Sequence, residues 1–123
     1  MNDFKKKLTA EQHRVTQKHG TEQPFSGIYN DKKDKGDYLC VCCKSKLFSS
    51  NAKYDSGSGW PAFFEPISEK AVGLSIDNSL FMERTEIHCS KCQAHLGHVF
   101  KDGPQPTGLR YCINSISLDF ENE

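Results

Sequence analysis

With 123 residues the chain is long enough for one cored domain and too short for two. Lys plus Arg and Asp plus Glu both total 16, so no net field recruits nucleic acid or an anionic membrane, and both partner classes are excluded. No apolar run reaches the length of a bilayer span, and the opening MNDFKKKLTAEQ has the character of neither a signal nor a transit peptide, which points to the cytoplasm.

Thr9-Ala10-Glu11-Gln12 has capping-box spacing, Thr9 as the cap and Gln12 reaching back to it. This predicts a helix over 10–18, stopped by Gly20. Pro24 to Tyr29 reads as an irregular wrap in which Phe25, Ile28 and Tyr29 anchor that helix to the core. The charged stretch 30–36 is a solvated turn. Asp37-Tyr38-Leu39-Cys40 reads as a short strand entering a cysteine turn, with Lys46-Leu47-Phe48 as the return strand. Residues 54–61 (YDSGSGWP) form a turn-dense loop that presents the single tryptophan, Trp60. Strand character recurs at 71–76 and 80–87 around an Asp77-Asn78-Ser79 turn. It recurs again at 95–100 and 109–120, on either side of Asp102-Gly103-Pro104. The expected fold is mainly β, one domain over 1–123 with a helical wrap at 1–30 and an antiparallel core at 37–120.

Six cysteines in a chain read as cytoplasmic suggest metal or redox chemistry before disulfides. Cys40-x-x-Cys43 and Cys89-x-x-Cys92 both sit at hairpin-type turns, where a two-residue gap lets one turn supply two thiolates to a tetrahedral ion. The competing reading is a redox dithiol, but that motif opens a helix after a strand, and no helix follows either pair. The expectation is one structural Zn²⁺ on Cys40, Cys43, Cys89 and Cys92. Cys42 is left over: inert, a competing ligand, or a redox partner.

Cys112 stands apart from the pairs. Arg110, two residues earlier, favours its thiolate, and on a strand Arg110, Cys112 and Asn114 share one face. Alone, such a cysteine reads as a small buried hydrophobe. His95 and His98 change that, because nucleophilic thiol chemistry needs proton donors that work near neutral pH. The histidines also resemble zinc ligands in spacing, but two cysteine pairs already complete four-coordination.

These motifs together resemble the methionine-R-sulfoxide reductase (MsrB) family. The likeness runs from the segment at Thr9 to Gly27 through the first CxxC, Asp55-Ser56-Gly57-Ser58-Gly59-Trp60-Pro61, Arg84-Thr85-Glu86, HCSKCQAHLGHVF and GLRYCINS. It implies two antiparallel β-sheets with small N-terminal helices and a four-cysteine zinc site. It assigns Cys112 as nucleophile, and His95, His98, Asn114 and Arg110 as the groups that activate substrate and order the site. Trp60 matches the indole that packs on the S-methyl group, with Val99 and Phe100 beside it. The implied reaction reduces protein-bound methionine-R-sulfoxide, leaves a sulfenic acid on Cys112, and is completed by thioredoxin or another thiol. A monomer is expected, in keeping with the cytoplasmic reading of the N-terminal sequence.

One departure stands out. Many members carry a recycling cysteine where this chain has Ser58, and a serine forms no disulfide. An external thiol or, among internal residues, Cys42 must then take that role. Two other readings compete: a zinc-stapled binding module, for which Cys112 is dispensable, and a thiol peroxidase, for which Trp60 and the paired imidazoles have no use.

Overall fold

The computed structural model describes residues 9–18, 23, 27–30, 32–77 and 83–122. Helix α1 (Ala10–Lys18) opens with the reciprocal cap that its sequence predicts. The Gln12 amide donates to Thr9 Oγ1 at 3.1 Å, and the Thr9 amide donates to Gln12 Oε1 at 2.9 Å. One side of the helix is buried through Val15 and Thr16. Gly20, Pro24 and Phe25 lie outside the described residues, so the expected stop and part of the expected wrap do too. Tyr29 does anchor, packing on Tyr38 and Phe120 at ring distances of 5.6 and 6.3 Å. Ile28 does not: it is 81% exposed, because the turn at its position faces outward.

Among the described residues nine strands follow, in two antiparallel sheets. They are β1 (Gly36–Cys40), β2 (Lys46–Ser49), β3 (Lys53–Tyr54), β4 (Ala62–Phe63), β5 (Val72–Asp77), β6 (Arg84–Cys89), β7 (His95–Phe100), β8 (Arg110–Ile113) and β9 (Leu118–Asn122). The small sheet runs β2-β1-β9 and the large one β3-β4-β8-β7-β6-β5. Among the described residues no helix is long and apolar enough to cross a membrane.

Two expectations need correction. The strand read over 109–120 is two strands in different sheets. After Ile113, Asn114 turns the chain, its amide donating to the Leu96 carbonyl, and a 3-10 turn (Ser115–Ser117) leads to β9. Ser117 secures the crossing by donating to the His95 carbonyl at 3.0 Å. Asp77, read as a turn residue, is the last residue of β5; the remainder of that turn lies outside the described residues.

The core lies between the sheets, around Tyr38, Leu47, Phe48, Phe63, Ile87, Leu96 and Ile113. Phe48 and Phe63 stack at 4.4 Å, and Tyr38 meets Phe63 edge-on at 5.2 Å. Row by row, Ile87, Gly97 and Ile113 pair across β6, β7 and β8 on this face. The neighbouring row on the opposite face is Glu86, His98 and Cys112.

Gly97 controls how closely those rows approach. A Cβ there would run into the Cys112 carbonyl and stand 3.0 Å from Ile113 Cα. Gly97→Ala is therefore expected to force β7 and β8 apart and cost about 1–3 kcal/mol by overpacking. Thermal unfolding reads the loss, and slowed alkylation of Cys112 reads the displaced thiol.

A candidate thiol–imidazole active site and a four-thiol cluster

The two cysteine turns have the same shape. The Lys44 amide closes the first on the Cys40 carbonyl and the Gln93 amide closes the second on the Cys89 carbonyl, each at 2.8 Å. Lys44 and Gln93 both take the left-handed conformation, with φ of 65° and 68°. Two matched turns thus present four thiols to one point. Cys40 Sγ lies 3.6 Å from Cys92 Sγ, Cys43 Sγ lies 3.6 Å from Cys89 Sγ, and all four sulfurs fall within 4.8 Å of one another. A tetrahedral ion with metal–sulfur bonds near 2.3 Å spaces its sulfurs about 3.8 Å apart, so these four can hold a thiophilic ion. Cys42 is buried beside them, and its Sγ accepts from Gln17 Nε2 at 3.5 Å. It borders a cleft of about 1200 Å³ between α1 and the first cysteine turn, which contains neither His95 nor His98.

The other site is a cavity of about 260 Å³ lined by Ser58, Trp60, Arg84, Gly97, His98, Phe100, Arg110, Cys112 and Asn114. Of the residues expected from the sequence, the structure gathers Trp60, His98, Phe100, Arg110, Cys112 and Asn114 there. Arg110, Cys112 and Asn114 share the face that strand alternation predicts. Val99 is placed elsewhere, packed against the core, because it alternates with His98. His95 is 2% exposed and does not line the cavity.

His95 and His98 are three apart on one strand and should face opposite ways. They do not, because the β6–β7 register slips between Ile87 and His88. His88 then pairs with His95, Leu96 becomes the extra residue, and both imidazoles reach one face with ring centres 5.6 Å apart. Each meets a carboxylate: His95 Nδ1 is 2.7 Å from Glu86 Oε2, and His98 Nε2 is 2.8 Å from Asp77 Oδ2. Asp77 Oδ2 also accepts from Arg84 Nη2 at 3.1 Å. Neither acid was assigned a role from sequence. The alternation Arg84, Glu86, His88 along a strand was the available signal for Glu86; Asp77 was hidden by its resemblance to a turn residue.

His98 stands directly across from Cys112 in the β7–β8 ladder. Cys112 Sγ lies 3.9 Å from Ser58 Oγ, which in turn lies 2.7 Å from Ser56 Oγ. Arg110 holds Asp102 through two bonds of 2.9 and 3.2 Å and rests 4.5 Å over the Phe100 ring. Burial pushes the Cys112 thiol above its ordinary range, against the pull of Ser58 and Arg110. The expected assistance from Arg110 is present, but desolvation outweighs it. Asn114 is buried, and its Nδ2 donates to the Leu96 carbonyl at 3.0 Å, which fixes the amide plane beside the thiol.

A SelR domain matches residues 8–122. The peptide methionine sulfoxide reductase MsrB of Leptospira interrogans serogroup Icterohaemorrhagiae serovar Lai is 57% identical over 121 residues, spanning 98% of this chain and 92% of that protein. The MsrB of Hahella chejuensis is 58% identical over 120 residues, with 98% and 86% covered. The MsrB of Methanosarcina mazei is 55% identical over 121 residues, with the same coverages of 98% and 86%.

Two outcomes are expected from this geometry. Metal-free protein should take up one equivalent of a thiophilic divalent ion with a rise in melting temperature; calorimetry or a melting curve reads it, and Cys40→Ser should abolish it. Because the neutral thiol is favoured by burial, alkylation of Cys112 should keep accelerating above the ordinary thiol pKa of about 8.5. Arg110→Ala should move that rise further up in pH, as followed by mass spectrometry of the Cys112 peptide.

Proposed function

The chain belongs to the SelR-domain family, and from that premise we propose how it works as a peptide methionine sulfoxide reductase: Cys112 attacks the sulfur of a methionine-R-sulfoxide while an imidazole protonates its oxygen. The observation that carries this reading is the pairing of Cys112 with His98 inside a small cavity walled by Trp60.

A sulfoxide oxygen leaves poorly until it is protonated, so thiolate and acid must reach adjacent atoms of one small group. A row in which thiol and imidazole are cross-strand partners meets that demand without a mobile loop. Trp60 and Phe100 offer aromatic surface to the S-methyl group. With the methyl held there, only one epimer turns its oxygen toward the imidazoles. Arg110, tied to Asp102, favours the thiolate against burial, and Asn114 orders the polar wall.

Cys112 gains oxygen as a sulfenic acid and methionine departs. Ser58, whose Oγ lies 3.9 Å from the sulfur, forms no disulfide, so thioredoxin or another external thiol completes the cycle. The internal alternative, Cys42, borders a different cleft from Cys112. Cys40, Cys43, Cys89 and Cys92 would hold a structural Zn²⁺ in a closed four-thiolate site, supplying stability and no chemistry. All six cysteines are free, which suits a monomer working in a reducing cytoplasm.

A single-turnover assay tests the assignment. Reduced enzyme should release one equivalent of methionine from the R epimer and none from the S epimer, and Cys112→Ser should release none. Turnover by Cys112→Ser defeats the reading. Ser58→Cys should trap the oxidised enzyme as an internal disulfide, detected as protection of both thiols from alkylation.

A further inference from the structure

The two imidazoles are held by opposite nitrogens. Glu86 takes His95 at Nδ1, whereas Asp77 takes His98 at Nε2. Only His98 lines the cavity. The nitrogen of His98 left to meet a substrate is therefore Nδ1, and the residue that decides this is Asp77.

Asp77 ends the edge strand β5, and its carboxylate reaches across β6 to β7. An Asp–Arg pair that merely tidied a sheet edge would need no imidazole. Here one oxygen serves both partners, and its contact to His98 at 2.8 Å is shorter than that to Arg84 at 3.1 Å. A carboxylate oxygen that accepts from a guanidinium is an acceptor toward the ring as well, so the proton between Asp77 and His98 belongs to Nε2.

We propose that Asp77, braced by Arg84, is the positioning residue for the proton donor of the reductive step, holding His98 as the Nε2–H form so that Nδ1 delivers the proton. The proposal rests on the reductase reading above and assigns the acid within it. The imidazolium of His98 carries protons on both nitrogens. The Cys112 thiolate attacks the sulfoxide sulfur, and the S–S bond so formed breaks as the oxygen passes to Cys112, whose sulfur thereby loses two electrons to the substrate sulfur and gains an S–O bond. The substrate S–O bond breaks, and the Nδ1 proton of His98 leaves with that oxygen as the sulfenic hydroxyl. What remains is neutral His98 with its hydrogen on Nε2, the form that Asp77 already prefers. Proton transfer thus ends without any rearrangement of the ring.

Charged and titratable groups reach the His98 neighbourhood from several strands: Asp77 from β5, Arg84 and Glu86 from β6, His95 from β7 itself, and Arg110 and Cys112 from β8. Asp77 alone among them bonds Nε2 in the structure. Asp77→Asn keeps the shape but replaces an obligate acceptor with an amide that can also donate, which weakens the preference of the ring for hydrogen on Nε2.

The test uses reduced, metal-loaded enzyme with a methionine-R-sulfoxide peptide. Nitrogen-15 shifts of the neutral His98 ring in the wild type should report hydrogen on Nε2, and Asp77→Asn should shift it toward Nδ1. Asp77→Asn should also slow single-turnover methionine release on the order of 100-fold, the scale of one lost general acid, with an altered pH profile and little change in KM. A wild-type His98 with hydrogen on Nδ1 overturns the proposal even if the variant does not fold, and so does a folded Asp77→Asn with normal rate and pH profile. Wild-type enzyme that releases no methionine would instead defeat the reductase reading itself.

Discussion

The structure depends on four sulfurs that join the turn between β1 and β2 to the turn between β6 and β7. The first turn ends the central strand of the small sheet. The second connects two adjacent strands of the large sheet and delivers the chain into His95 three residues later. Whatever holds the sulfurs together therefore also holds one sheet against the other and fixes where β7 begins. Packed thiols alone offer weak mutual attraction; four thiolates around a divalent ion would supply a strong, directional tie. The cavity at Cys112 and His98 inherits its geometry from this tie through the strands that leave it.

Those strands separate packing from chemistry by alternation. Ile87, Leu96 and Ile113 are fully buried toward the core, while Glu86, His95, His98 and Cys112 share the other face. In the β6–β7 pair the slip at His88 breaks the alternation, and it brings a second imidazole to the polar side. A bulge in such a place re-aims a side chain without a loop, so the site is carried on hydrogen-bonded strands. The two carboxylates complete the arrangement, since each fixes a ring that would otherwise rotate and exchange tautomers.

Much of this was legible in the chain. The cap at Thr9 and Gln12 predicts α1 because it is a local device, complete within four residues. The CxxC turns predict the thiol cluster because the ligand spacing is itself local. The alternation of Arg110, Cys112 and Asn114 predicts the polar wall. What could not be read depends on partners distant in sequence. The slip between Ile87 and His88 exists only relative to a neighbouring strand, so His95 and His98 carried no mark of sharing a face. Asp77 followed by Asn78 and Ser79 looks like a turn, and only pairing with Arg84 makes it a strand end. The stretch 109–120 reads as one strand because nothing in Asn114 and Ser115 announces that the chain changes sheets. Ile28 looks like an anchor by its hydropathy, yet its turn faces water.

The desolvation of Cys112 has a meaning beyond turnover. A thiolate is the form that peroxides attack, and a neutral thiol is nearly inert to them. On the proposed mechanism, the burial that favours the neutral Cys112 thiol against the pull of Arg110 and Ser58 would shelter it from the very oxidants whose damage the protein repairs. Attack on sulfur is reserved for a guest that brings aromatic contacts and accepts a proton in the same encounter. On the same mechanism the shelter would end once oxygen has been taken up: with Ser58 beside the sulfur in place of a thiol, the oxidised state would last until an outside reductant arrives, and the scarcity of that reductant would set how long the protein stays exposed to irreversible loss.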